Sequence, residues 1–179
     1  MRLLHGCLLR LLLTAACAVS TACGGAPATS VTPETTAAQT SSADAPAAGA
    51  ADSPAARCLA AAEAARPRRA DEPAKISVKH ILVRHAGADR ADGATRTREE
   101  ACLRALEARD KVRGGADFDA LVSEYSDEAG AASRAGSLGA IERADVLPPF
   151  ADAAFELDRN QLSDVVETKY GFHLILRTE

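Results

Sequence analysis

Tryptophan is missing from this 179-residue chain, methionine occurs once, and four Phe with two Tyr are the whole aromatic complement. Those aromatics (Phe118, Tyr125, Phe150, Phe155, Tyr170 and Phe172) all follow residue 117. Large apolar residues are equally scarce between 24 and 75. A packed core therefore has to come from roughly the last hundred residues, enough for one small domain. An excess of positive charge is also lacking: the net charge is −4 and the pI about 5.6, which argues against nucleic acid or an anionic membrane surface as partner. Metal spacing such as C-x-x-C does not occur.

A long hydrophobic run is absent too. LLLTAACAVSTA (11–22) is too short to span a bilayer as a mature helix, and with Arg2 and Arg10 it reads as an export signal. Two readings compete where it ends. Small residues before Cys23, with Gly24 and Gly25 after it, resemble the lipobox of bacterial lipoproteins, although Ser20 stands where Leu is usual. Alternatively Ser20-x-Ala22 is an ordinary signal-peptidase site and the protein is released. The lipid reading is favoured, with Cys17 the weaker alternative acceptor. It places the protein at the cell envelope, facing the periplasm and held to the membrane only through its lipid; the other makes it secreted and soluble. A monomer is expected.

Residues 24–57 consist of Ala, Pro, Ser, Thr, Gly and a few charges, with Val31 the only large aliphatic. Such a stretch buries too little to offset ordering, so 23–75 reads as a disordered tether. Within it Ser53 and Pro54 predict a short helix over 54–66, and RPRRADEPAK (66–75) a charged, solvated hinge. Cys58 and Cys102 remain in an oxidising compartment. A disulfide between them is one reading. The favoured one leaves Cys58 in a mobile segment and Cys102 as a small apolar residue on a helix.

The ordered part is expected from Ile76. ISVKHILVR (76–84) alternates as a strand, with Val78, His80 and Leu82 on one face. Thr97 and Glu100 form a capping box that opens a helix to about Arg113, with Gly114-Gly115 stopping it. ADFDALVSEYSD (116–127) reads as a second helix, SLGAI (137–141) as a strand and PPFADAAFEL (148–157) as a third helix. SDVVET (163–168) and FHLILRT (172–178) read as a hairpin. The order β-α-α-β-α-β-β points to an α+β domain with a mostly antiparallel sheet. Two histidines, His80 and His173, lie inside apolar strands. On residue type alone they are satisfied core histidines more often than a site. A metal held by His80, His85 and His173 is disfavoured, since no carboxylate or cysteine stands at ligand spacing.

Taken together, HILV (80–83), GADF (115–118), YSD (125–127), SLG (137–139), PPF and AAF (148–155), QLSDVVET (161–168) and YGFHLIL (170–176) resemble the parvulin-type peptidyl-prolyl cis/trans isomerases. The likeness covers 76–179 in family order. It implies a four-stranded antiparallel sheet wrapped by helices. It also implies catalytic roles for His80, Glu128, Thr168 and His173, and a substrate-proline pocket of Leu138, Val146 and Phe150. Arg84 and Arg90 fall where one branch of the family reads an acidic or phosphorylated residue before proline, although Asp89 and Asp92 interrupt the cluster. Ser137, Ile141 and the extra methylene of Glu128 depart from the family pattern. Proline-containing polypeptides would be the clients and no cofactor is implied. A non-catalytic holdase with the same fold is the rival reading.

Overall fold

The computed structural model describes residues 52–179, so the export signal, Cys23 and most of the tether lie outside the described residues. Helix α1 (Pro54–Glu63) starts at Ser53, whose hydroxyl accepts the Ala56 amide, with proline in the first turn. Strand β1 is Lys75–Val83. Helix α2 (Arg98–Arg113) opens on the Thr97–Glu100 capping box, and the Gly114 cap amide bonds back to Asp110. Helix α3 (Phe118–Tyr125) is capped by Asp117, whose carboxylate accepts the Ala120 amide. A turn of 3-10 helix (Ala132–Arg134) leads into β2 (Ser137–Glu142), and a second (Arg143–Asp145) into α4 (Pro148–Glu156). Strands β3 (Val166–Thr168) and β4 (Gly171–Arg177) form the closing hairpin. No helix among the described residues is long and apolar enough to cross a membrane.

The four strands make one antiparallel sheet in the order β2-β1-β4-β3. The first and last strands of the domain are thus its two central ones. Alternation sorts their side chains. Ile81, Val83, Phe172 and Leu174 enter a core with α1, α2 and α3; Ile76, Val78, Val166 and Ile175 enter a second with α4. His80 and His173 follow the parity of the second set. Because His80 pairs with Ile175 and His173 with Leu82, the two histidines are diagonal neighbours on the α4 side of the sheet.

Two expectations are corrected. Cys58 and Cys102 are joined by a disulfide, and both are buried. Cys58 is therefore not in a mobile segment and Cys102 is not a free apolar thiol. The reason is α1, which packs its Cys58 and Ala62 face on α2 and β3, so the packed body begins upstream of Ile76. The basic run 66–75 is largely exposed, as expected, but it is also ion-paired to the rest of the domain. Arg66 pairs with Glu156, Arg69 with Asp158, and Glu72 with Arg143, strapping the segment over the end of α4.

Candidate active site

Each side of the site follows from the local sequence. Strand β1 supplies His80 and β4 supplies His173, both at most 5 % exposed. Thr168, last residue of β3, sits beside His173 because the short hairpin turn folds it back. Its Oγ1 accepts the Tyr170 amide at 3.1 Å and lies 2.8 Å from His173 Nε2. The loop after α3 brings Glu128 to the other histidine, with Oε2 at 2.9 Å from His80 Nε2. That loop is fastened to β1 at both ends. The Asp127 amide donates to the Leu82 carbonyl at 2.7 Å, and the His80 amide donates to the Gly136 carbonyl at 2.9 Å. Asp127 further accepts from the Arg84 amide and from Arg96.

The two imidazoles meet through Nδ1 at 3.4 Å, with planes 13° apart and centroids 5.6 Å apart. The centroid separation exceeds the nitrogen separation by about two ring radii, so the nitrogens face each other edge to edge. A continuous chain results: Glu128, His80, His173, Thr168, Tyr170 amide. A chain of this kind admits two directions. If Glu128 is ionised it can only accept, so His80 carries its proton on Nε2. His173 then donates from Nδ1, and Thr168 donates to His173 Nε2. If Glu128 is protonated the whole order can reverse. The His80 contact holds the Glu128 carboxyl below the ordinary range; partial burial opposes this, and the charge of Arg134 adds to it. Burial pushes His173 down to about 3, the neighbouring His80 charge adding and Glu128 opposing, so His173 is neutral at physiological pH.

Phe150, buried in the first turn of α4, sets its ring edge-on to both imidazoles, at 5.3 Å from His173 and 5.8 Å from His80. Pro148 and Pro149 start that helix and fix its direction. Leu138 and Val146 pack against the same cluster. One cavity of about 440 Å³ is lined by Leu138, Val146 and Phe150 together with His80, Glu128, Thr168 and His173, and at its rim by Arg84 and Arg90. All the candidate residues expected in the described part of the chain therefore open onto a single space; Cys23 lies outside it. Arg84 is ion-paired to Asp92 and its Nε is buried without a partner, while Arg90 stands 5.7 Å over the Tyr170 ring. His85 is apart from this space, against Phe172. No cluster of three metal-ligating groups occurs among the described residues. Sequence reasoning missed Arg134, which ion-pairs with Glu128. Its six-residue separation from Glu128 in a small-residue loop gives no periodic signal.

Chemically the cavity is an apolar cup with a polar, internally satisfied floor. It offers shape and hydrogen bonds, and no cysteine thiol is free among the described residues, since Cys58 and Cys102 are joined to each other.

Comparison with known proteins agrees with this geometry. The profile of the PPIC-type PPIase domain matches residues 66–179. The putative peptidyl-prolyl cis-trans isomerase dodo of Drosophila melanogaster is 42 % identical over 113 residues, covering 60 % of this chain and 68 % of its own. The chaperone SurA of Methylococcus capsulatus is 37 % identical over 101 residues, which cover 56 % of this chain but 21 % of SurA. Among solved structures, the peptidyl-prolyl isomerase ESS1 from Candida albicans superposes with a TM-score of 0.54 at 27 % identity, over 59 % of this chain and 63 % of that one. The described fold is thus the α+β, four-stranded antiparallel arrangement of those isomerases. With the domain profile covering more than half of the sequence, the chain belongs to the PPIC-type peptidyl-prolyl cis-trans isomerases, the parvulins.

Proposed function

We propose that this domain speeds cis/trans rotation about X-Pro bonds in exported polypeptides during their folding. The observation that carries the proposal is the single cavity shared by the apolar cup and the histidine chain. Uncatalysed rotation takes on the order of tens to hundreds of seconds, because amide resonance must be lost over a barrier of about 18–20 kcal/mol. No bond is broken, so the protein has to supply only differential stabilisation of the twisted amide. Leu138, Val146 and Phe150 grip the prolyl ring. A chain seated in the cavity would lose water from the preceding carbonyl, whose hydration favours the planar state. Glu128 places negative charge near that carbonyl and disfavours its planar polarisation. His80, His173 and Thr168 hold the floor in register. Arg84 and Arg90 line the same cavity and would suit an acidic or phosphorylated residue before proline if the anion displaced Asp92 from Arg84.

The wider setting belongs to the same proposal. The N-terminal signal and Cys23 make the protein a lipid-anchored monomer of the cell envelope. The name of the SurA relative, a chaperone, supports work on folding clients.

A protease-coupled assay on X-Pro peptides with neutral, acidic and phosphorylated residues before proline tests the activity. Acceleration above background is expected, greatest for the anionic peptides. If no peptide is accelerated while peptides still bind, the domain is a holdase and the isomerase reading falls.

A further inference from the structure

Glu128 does not face His80 alone. The oxygen that contacts His80, Oε2, is also ion-paired to Arg134 Nη2. Arg134 sits at the end of the 3-10 turn Ala132–Arg134, six residues beyond Glu128 on the same loop. The loop holds the pair at fixed spacing. Its ends are fastened to β1 at Leu82 and His80, the Gly136 amide closes back on the Ala131 carbonyl at 2.9 Å, and Ser133 bonds the Gly130 carbonyl at 2.8 Å. A charge presented on so constrained a loop is preorganised.

The other ionisable groups around the cavity are otherwise occupied. Arg84 is paired with Asp92, Arg90 lies over Tyr170, and Asp145 accepts the Glu142 amide. From the strands, His80 and His173 face Glu128; from its own loop, Arg134 does.

We propose that Arg134 is a positioning residue that sets the direction of the whole hydrogen-bond chain by keeping Glu128 an acceptor. At the far end the Tyr170 amide can only donate, and it occupies an acceptor site on Thr168. Thr168 therefore has its own proton free to give to His173 Nε2. With Glu128 ionised both ends agree: His80 bears its proton on Nε2 and His173 on Nδ1. Without the guanidinium, protonation of Glu128 becomes easier, and the reversed order, with His80 donating from Nδ1, becomes accessible. Arg134 is not among the residues lining the cavity and bonds neither imidazole, so its effect passes through Glu128. The inference rests on the isomerase reading only for its consequence in rate; the proton order is a property of the free protein.

The experiment uses the full chain with 15N-labelled histidine. NMR spectra recorded from pH 7 down to pH 4 report which ring nitrogen of His80 and His173 carries hydrogen, and the pH profile of kcat/KM on an X-Pro peptide is recorded in parallel. The wild-type protein should show His80 protonated on Nε2 and His173 on Nδ1. In Arg134→Ala and Arg134→Gln that order should be lost at a higher pH than in the wild type, and the acidic limb of the profile should move up with it, by as much as about one pH unit, the scale of a partly exposed ion pair. Arg134→Lys should restore both. Unchanged tautomers and an unchanged acidic limb in Ala and Gln variants would reduce Arg134 to a surface ion pair and overturn the proposal. So would failure of lysine to rescue, or the opposite tautomers in the wild type. Correct tautomers that respond to Arg134 in a protein without isomerase activity would uphold this inference and reject the catalytic reading.

Discussion

A Cβ placed on Gly136 would lie 2.4 Å from the carbonyl oxygen of His80. The contact is backbone against backbone, and Gly136 has φ +69, so neither partner can give way cheaply. Gly136→Ala should cost about 1–3 kcal/mol in chemical denaturation and lower kcat/KM, because the same glycine receives the His80 amide. Gly139 is the control. It has the same φ of +69 with nothing within 4 Å of a built Cβ, so Gly139→Ala should cost only the backbone strain, about 1–2 kcal/mol. Equal losses of activity in the two variants would show that the close approach does not matter to the site.

Phe150 is buried and holds its edge against both imidazoles. Phe150→Ala should therefore lose about 3–5 kcal/mol of stability and most of the isomerase activity. Phe150→Leu keeps much of the volume and should recover stability more fully than rate. Thermal melts and peptide kinetics on the same preparations separate the two effects.

The Cys58–Cys102 bridge closes a separation of 44 residues, for which loop entropy gives about 4 kcal/mol. Dithiothreitol should lower Tm by on the order of 10 °C in the wild-type protein. The Cys58→Ala/Cys102→Ala double variant should start near the reduced value and ignore the reductant. A wild-type melt indifferent to dithiothreitol would contradict the bridge.

Acid should weaken the fold in a defined window. The folded-state pKa of His173 lies near 3, below the usual histidine value of 6.5, so the unfolded chain binds the extra proton between those limits. Stability from the neutral ring is therefore complete above 6.5 and is lost as pH falls toward 3, by a few kcal/mol in all. Glu128 acts in the same direction: its depressed carboxyl stabilises above the ordinary carboxylate range and ceases to do so as acid protonates the folded form. Urea midpoints between pH 7 and 4 should fall in the wild type and fall less in His173→Asn.

Much of this was legible in sequence because the signals are local. The capping box at Thr97 and Glu100, the Pro-Pro start of α4 and the alternation of 76–84 each act within a few residues, and each element formed where expected. The histidine pair and the cup were legible only through the family likeness, since a buried histidine by itself signals nothing. What was illegible depends on partners distant in the chain. Cys58 meets Cys102 only because α1 docks on α2, and α1 carries few large apolar residues to announce that it will. Arg66 and Arg69 find acids about 90 residues away, so their run reads as solvated until the fold supplies Glu156 and Asp158. Arg134 was missed for a different reason: its loop has no period, and its position is set by backbone bonds to β1.

The bridge also decides where a mechanical load would go. Any pull on the chain ahead of Ser53 enters α1, where two covalent routes part at Cys58: the main chain toward β1 and the sulfur bridge into α2. Neither histidine-bearing strand is part of that bridged pair of helices, so a load shared between α1 and α2 is first met by elements that carry no residue of the site.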